Sequence, residues 1–193
     1  MKIIGVTGGI ASGKSTVTAY LRKQNIPVFD ADASAHEAVL PGSACLLQLK
    51  AAFGGQILTE AGELDRKAMA ALAFNDRKIL NKLESIVHSY VWRQAEEFIT
   101  KHKKAPLVVL DVPLLIESAW HKKVDYVWLV AISEEKQIKR ALARDAITEE
   151  EIRARIKMQM PLAEKRKYAT IIFDNTGSVE QLEQQVAAAL RTI

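Results

Sequence analysis

Two kinds of apolar pattern alternate along the chain. The first is a short, unbroken, β-branched run, repeated as Lys2–Thr7, Val28–Asp30, Leu107–Asp111, Val124–Val130 and Thr170–Asp174. Runs of this kind are what strands buried on both faces of a parallel sheet require. The second pattern spaces apolar residues by three and four, as amphipathic helices do. It appears at Ser15–Gln24, with Val17, Tyr20 and Leu21 on one face, and at Ser43–Phe53, Asp65–Phe74, Asp76–Val87 and Ser89–Lys103. Another helix is expected to open at Ser133, and one at Thr148, which forms a capping box with Glu151. The last is expected after Ser178, with Gln181 three residues on and Val179, Leu182, Val186 and Leu190 facing the sheet. Breaks are marked by Asn25-Ile26-Pro27, Pro41-Gly42 and Phe53-Gly54-Gly55, by a turn or short hairpin at Thr59-Glu60-Ala61-Gly62, and by Pro161. Val112–Glu117 reads as a stiff turn leading into a short helix.

The resulting order, β-α-β-(helices)-β-β-α-α-β-α, predicts an α/β fold: a five-stranded, mostly parallel sheet with helices on both faces. The stretch between the second and third strands is much longer than a crossover needs. It is expected to be an inserted helical subdomain, about residues 33–104, covering an acceptor site. The core is then about 1–32, 105–133 and 168–193, with residues 134–167 left as a helical lid.

Length and composition set few further limits. At 193 residues and 49% hydrophobic content the chain can bury one sizeable core, so a single domain is expected. The net charge of +4 is spread out, and no basic block is interleaved with aromatics, so nothing supports a nucleic-acid partner. Anionic small substrates account for the excess equally well. Cys45 is the only cysteine, so no intramolecular disulfide can form, and its apolar helical setting suits a buried structural thiol. No apolar run approaches the ~20 residues of a membrane span, and no leader pattern precedes the first strand. A cytoplasmic protein with no membrane association and no obligate protein partner is expected.

Chemistry enters at Thr7–Thr16, which reads T-G-G-I-A-S-G-K-S-T. Gly8, Gly13, Lys14 and Ser15 fit G-x-x-x-x-G-K-[ST], the phosphate-binding loop, and a strand precedes it and a helix follows, as the motif requires. Glycines at 8, 9 and 13 let backbone N–H groups turn inward around phosphate oxygens, and the helix N-terminus adds its positive end. Gly8, Gly9, Ala11, Ser12, Gly13, Lys14, Ser15 and Thr16 are therefore the expected nucleotide-binding residues. Lys14 is expected to stand exposed in the empty loop and to bridge the β- and γ-phosphates of ATP, with the Ser15 hydroxyl ligating Mg²⁺. The competing reading, a glycine-rich turn with a surface lysine, does not account for the flanking strand and helix.

Two more acids stand at strand ends. Asp30 and Asp32 follow the second strand, at the end where open α/β sheets hold ligands. One can serve an acceptor hydroxyl while the other caps a helix. Asp111 ends an apolar strand as a Walker B acid does, a weak pattern taken alone. Lys136, Arg140 and Arg144 recur every four residues on one helix, and Arg153, Arg155, Lys157 and Lys165-Arg166-Lys167 follow. These are either a solvated face paired to Glu149–Glu151 or a mobile lid that brings guanidinium groups onto transferring phosphates.

Among phosphate-loop proteins, a GTPase needs N-K-x-D, whereas Asn81-Lys82 continues Leu83-Glu84 inside an amphipathic helix. A motor or transport ATPase needs a longer chain. A non-catalytic nucleotide switch gains nothing from Asp32. A small-molecule or nucleotide kinase needs the loop, an acid, an acceptor cover and an arginine lid, and all four occur in order.

The chain also resembles the dephospho-coenzyme A kinase family nearly end to end. The resemblance rests on the phosphate loop, Phe29-Asp30-Ala31-Asp32, Gly62-Glu63-Leu64-Asp65-Arg66, Val112-Pro113-Leu114-Leu115-Ile116-Glu117, Arg140-x-x-x-Arg144 with Gln159 downstream, and Ile171–Gly177. It implies a P-loop kinase fold and transfer of the ATP γ-phosphate to the ribose 3′-hydroxyl of dephospho-CoA. It further implies Asp32 as the base, Asp30 supporting the helix start or a metal-bound water, and Arg140 and Arg144 against the nucleotide and its phosphates. Asn175 to Gly177 would border the adenine, making Asn175 and Gly177 nucleotide-binding residues. Two departures stand out: His88-Ser89 where the family usually has His-Pro, and Ala169-Thr170 in place of Ala-Asp.

Overall fold

The computed structural model describes residues 1–74 and 76–193. A five-stranded parallel sheet runs in the order β2-β3-β1-β4-β5. Its strands are β1 (Lys2–Gly8), β2 (Val28–Asp30), β3 (Leu107–Asp111), β4 (Tyr126–Ala131) and β5 (Ile171–Asp174). β1 is central, and its register pairs Val6 with Asp111 on one side and Gly8 with Val130 on the other. On the far side of β4, Ala131 pairs with Asp174. The carboxyl ends of four strands thus meet along one edge. From β1 the chain passes over β3 to β2, and from β3 it passes over β1 to β4, so the connections diverge between β1 and β3. That divergence marks the ligand crevice of open α/β sheets.

The chain divides into two compact units, residues 1–29 with 102–193, and residues 30–101. In the first, α1 (Lys14–Lys23) and α9 (Val179–Leu190) pack Val17, Leu21, Leu182 and Val186 against Ile4, Val6, Val109, Trp128 and Phe173. The alternate strand residues Val108, Leu110, Val127 and Leu129 are buried as well, so both faces of the sheet are covered. Trp128 and Phe173 meet edge to face at 5.1 Å, which makes Trp128 a packing residue. Between β4 and β5 lie α6 (Glu134–Arg144), α7 (Glu149–Lys157) and the single turn α8 (Leu162–Lys165).

The second unit comprises α2 (Ala31–Glu37), α3 (Ala44–Phe53), α4 (Arg66–Phe74) and α5 (Arg77–Lys101). Its core collects Cys45, Leu49, Ile57 and Met69, with Leu83, Ile86 and Tyr90 of α5 packed on them. Burial pushes the Cys45 thiol upward, outweighing the opposing Arg93 charge, as befits an inert packing group. Leu58 and Leu64 form an antiparallel bridge across a turn at Gly62, whose φ of +76 suits glycine, so the short hairpin forms.

Four details differ from the sequence expectations. The helices anticipated at Asp76–Val87 and Ser89–Lys103 are one 25-residue helix, because His88-Ser89 carries no proline and nothing interrupts the hydrogen-bond ladder. Val112–Glu117 does lead through turns into a short helix, but that helix is of the 3₁₀ type and begins only at Trp120. Val179 is 52% exposed at the first position of α9, while Leu182 and Val186, inside the helix, face the sheet. Lys165, expected on a charged surface run, is buried. The predicted caps at Ser133, Thr148 and Ser178 all form, the last two as full capping boxes. The Thr170 hydroxyl accepts from Val127 N–H and donates to Val127 C=O, both at 2.9 Å, tying the start of β5 to β4.

Candidate active site

The loop between β1 and α1 is shaped by small residues under close constraint. A Cβ on Gly8 would stand 2.8 Å from the Val130 carbonyl oxygen, so only glycine lets the strands stay paired there. Gly13 has φ +96 and ends the loop as the N-cap of α1; a Cβ there would collide with the Asn175 side-chain amide. Ala11 is also left-handed, with φ +52, a conformation that costs an alanine roughly 1–2 kcal/mol. Such strain is found where surrounding structure holds a loop for function.

Gly13 offers α1 no side-chain cap, so the helix begins with backbone N–H groups at Lys14 and Ser15 unprovided for by a cap. Together with the turned loop this forms an anion-binding N-terminus. The Ser12 hydroxyl is buried with no hydrogen-bond partner, inside the same loop. Ser15 is exposed at the helix start and Thr16 is half-buried behind it.

Lys14 does not stand exposed as anticipated. Its ammonium pairs with Asp111 at the end of β3, and the two side chains are only 18% and 5% exposed. The strand register explains this, since Asp111 lies level with Val6, two residues before the loop. Asp111 is thereby the counter-charge of the loop lysine.

The loop is bounded by later parts of the chain. Asn175, buried after β5, donates from its side-chain amide to Ser12 C=O at 2.7 Å. Its own carbonyl accepts from the Arg140 guanidinium at 3.0 Å, and Lys136 donates to the neighbouring Thr176 carbonyl at 2.8 Å. Gly177 follows, exposed, its backbone packed against Gln181. Arg144 instead makes a two-point hydrogen-bonded pair with Asp145, which raises the Arg144 pKa and lowers that of Asp145. Arg153 bridges Glu149 and Glu134. Of the basic residues predicted on one face, two reach back to the Asn175–Thr176 backbone and one is held by its sequence neighbour.

Four further contacts surround the loop that the sequence pattern did not foretell. Gln137 is buried beneath Gly9. Gln159 accepts from Ile10 N–H at 3.3 Å. Lys165 pairs with Glu117 at 2.9 Å, and Glu117 also accepts from Met160 N–H at 2.9 Å. A cavity of ≈ 400 Å³ lies among Gly9, Gln137, Gln159, Met160 and Lys165. The larger groove, ≈ 720 Å³ between α6 and α7, is lined by none of the loop residues.

In the second unit, Asp30 is the N-cap of α2 and accepts from Ala33 N–H at 3.0 Å. Asp32 lies in the first turn of the same helix, exposed. Of the two acids, the capping one is therefore Asp30.

Comparison with known proteins decides among the phosphate-loop classes. A family model described as dephospho-CoA kinase matches residues 2–181. The chain belongs to the dephospho-CoA kinase family. A dephospho-CoA kinase from Symbiobacterium thermophilum is 45% identical, over 99% of this chain and 81% of that protein. The Thermus thermophilus protein TT1252 superposes with a TM-score of 0.86 at 42% identity, covering 100% of this chain and 97% of its own. A dephospho-CoA kinase from Campylobacter jejuni gives a TM-score of 0.71 at 26% identity, over 98% and 95%. Membership in the dephospho-CoA kinase family makes the chain a kinase, with the P-loop kinase fold the sequence implied. Among the described residues no helix is long and apolar enough to cross a membrane.

Proposed function

We propose that the chain transfers the γ-phosphoryl group of ATP to the ribose 3′-hydroxyl of dephospho-CoA, giving coenzyme A and ADP, in the cytoplasm and without a nucleic-acid, membrane or obligate protein partner. The observation that carries the reading is the uncapped, glycine-constrained loop whose lysine is paired with the acid of the adjacent strand, in a chain of this family. The transition state of phosphoryl transfer is loose, so the protein's work is positioning and charge neutralisation.

In this reading Gly8, Gly9, Ala11, Ser12, Gly13, Lys14, Ser15 and Thr16 hold the triphosphate through backbone amides, the Ser12 and Thr16 hydroxyls and the Lys14 ammonium. Lys14 exchanges Asp111 for phosphate oxygens when ATP arrives. The exposed Ser15 hydroxyl at the start of α1 is an oxygen ligand of the kind a nucleotide-bound Mg²⁺ uses, while the uncapped N–H groups beside it suit the phosphates. Ser15 would hold it, and when bound it neutralises charge on the β- and γ-phosphates. Asn175 and Gly177 border the base, with Arg140 fixing the Asn175 backbone from α6.

Asp32 orients the 3′-hydroxyl and takes its proton as the oxygen–phosphorus bond forms. The bond from the γ-phosphorus to the bridging oxygen breaks, and its electron pair leaves with ADP. Residues 33–104 supply the acceptor cover and residues 134–167 the lid. From the lid Arg144 leaves Asp145 for the transferring phosphoryl group.

A coupled assay of ADP release with a panel of acceptors tests this. Dephospho-CoA should be used far better than adenosine, AMP or shikimate. Comparable kcat/KM with any of those would replace the reading with a generic small-molecule kinase.

A further inference from the structure

Lys165 is the only buried lysine among the described residues, with its side chain 2% exposed. Burying an ammonium is unfavourable, and an apolar side chain of similar volume serves stability as well or better. The surroundings of this lysine suggest a different use for it. Its ammonium lies 2.9 Å from Glu117 Oε1 and 3.3 Å from the Pro113 carbonyl oxygen. The same Pro113 carbonyl accepts from the Thr7 hydroxyl at 2.8 Å, at the last β1 residue before the glycines. Val112 N–H donates to Val6 C=O at 3.0 Å, so the turn carrying Glu117 is fastened to the base of the loop.

From Glu117 the contacts run to the other side of the loop. Its Oε1 also accepts from Met160 N–H at 2.9 Å. Gln159, one residue earlier, accepts from Ile10 N–H at 3.3 Å. Ile10 is at the apex of the phosphate loop, directly before left-handed Ala11. The orientation of the Gly9–Ile10 peptide is therefore set by a side chain 149 positions away in the sequence. That side chain is in turn held by Glu117 through the Met160 amide.

We propose that Glu117, held in place by the buried Lys165, is a positioning residue for phosphoryl transfer, fixing the apex of the phosphate loop through Met160 and Gln159. It touches no reacting atom. The pair fastens one segment, Gln159–Met160, against the loop, and the turn beneath it, Val112–Glu117, against β1. The inference rests on the loop being the ATP site of the proposed reaction.

Two double variants separate positioning from packing. Glu117→Gln with Lys165→Met removes both charges but keeps an oxygen for Met160 N–H. Glu117→Leu with Lys165→Met removes that oxygen as well. Both avoid a lone buried charge. Steady-state kinetics with ATP and dephospho-CoA should leave the first within a few-fold of wild type. The second should lose about tenfold or more in kcat/KM for ATP, with KM for dephospho-CoA unchanged. Equal kinetics in the two would overturn the proposal. Should the second variant not fold, Gln159→Leu leaves the ion pair intact and should show the same ATP-side loss; unaltered ATP kinetics there would also overturn it. Wild-type turnover in the same assay bears on the proposed reaction, and only the contrast among variants bears on Glu117.

Discussion

Replacing Lys14 with Met tests the loop lysine in two ways at once. Met keeps most of the length of the side chain and deletes the charge, so Asp111, its side chain 5% exposed, loses the Lys14 ammonium. Loss of a charge-assisted hydrogen bond costs about 1.5–3 kcal/mol. Stranding the partner of a fully buried pair costs about 3–5 kcal/mol. The Lys14 side chain is 18% exposed, so water reaches the carboxylate and the lower range applies. A destabilisation of about 2 kcal/mol corresponds to a melting temperature lower by roughly 4–8 °C in a chain of this size. Adding Asp111→Asn removes the carboxylate charge that Lys14 offset and should return most of that loss. Phosphoryl transfer should remain at least about 10²-fold down in both variants, because the Lys14 ammonium is then missing from the charges that neutralise the β- and γ-phosphates. Differential scanning calorimetry and an ADP-release assay read the two effects separately. A single variant that melts with the wild type would refute the electrostatic account of the pair. A folded single variant with ordinary turnover would remove the loop lysine from the chemistry.

Other outcomes follow from the same geometry. Asp32→Asn keeps size and hydrogen bonding but loses the proton acceptor, so transfer should fall by about 10²–10³ while ATP binding persists by calorimetric titration; near wild-type turnover would pass the role to another group. Arg144→Ala should lower kcat more than it weakens ATP affinity, since the arginine must leave Asp145 for the phosphoryl group late in the reaction; a change in melting temperature alone would leave it a surface charge. Glu151 is held below its ordinary value of 4.5 by hydrogen bonds from Thr148. A depressed carboxyl stabilises the fold above its unfolded pKa, and the contribution is lost as pH falls through the folded value. The start of α7 should therefore fray on acidification below about pH 4.5, seen as loss of amide-exchange protection, relative to the intrinsic rate at each pH, at Thr148 and Glu151; protection indifferent to that acidification would contradict the capping box.

Much of this molecule was legible because the relevant signals are local. The phosphate loop, the strand runs and the capping boxes at Thr148 and Ser178 are each written within a few residues, and short-range sterics and hydrogen bonds realise them whatever surrounds them. Legibility fails where the decision is made by distant partners. Lys165 sits in a Lys-Arg-Lys run that looks solvated, and only the turn carrying Glu117, folded onto β1, makes it a core residue. Lys14 looked free because Asp111 lies 97 positions away and meets it through strand register. The hydrogen bond from Arg140 to the Asn175 backbone carbonyl, beside the same loop, likewise joins residues 35 positions apart that no local pattern links. The junction expected near His88 was a matter of pattern alone: apolar spacing shifts there, yet no residue stops the helix. Exposed Val179 shows the reverse case, where periodicity is right but the position is the first turn rather than the packed interior.

The central claim is the identity of the bond that is made, and ³¹P NMR of the products tests it most directly. Purified protein incubated with ATP, Mg²⁺ and dephospho-CoA should yield ADP and, in equal amount, a new phosphomonoester resonance coupled to the ribose 3′ proton. ADP formed without that resonance, or a phosphoester at another hydroxyl, would contradict the account.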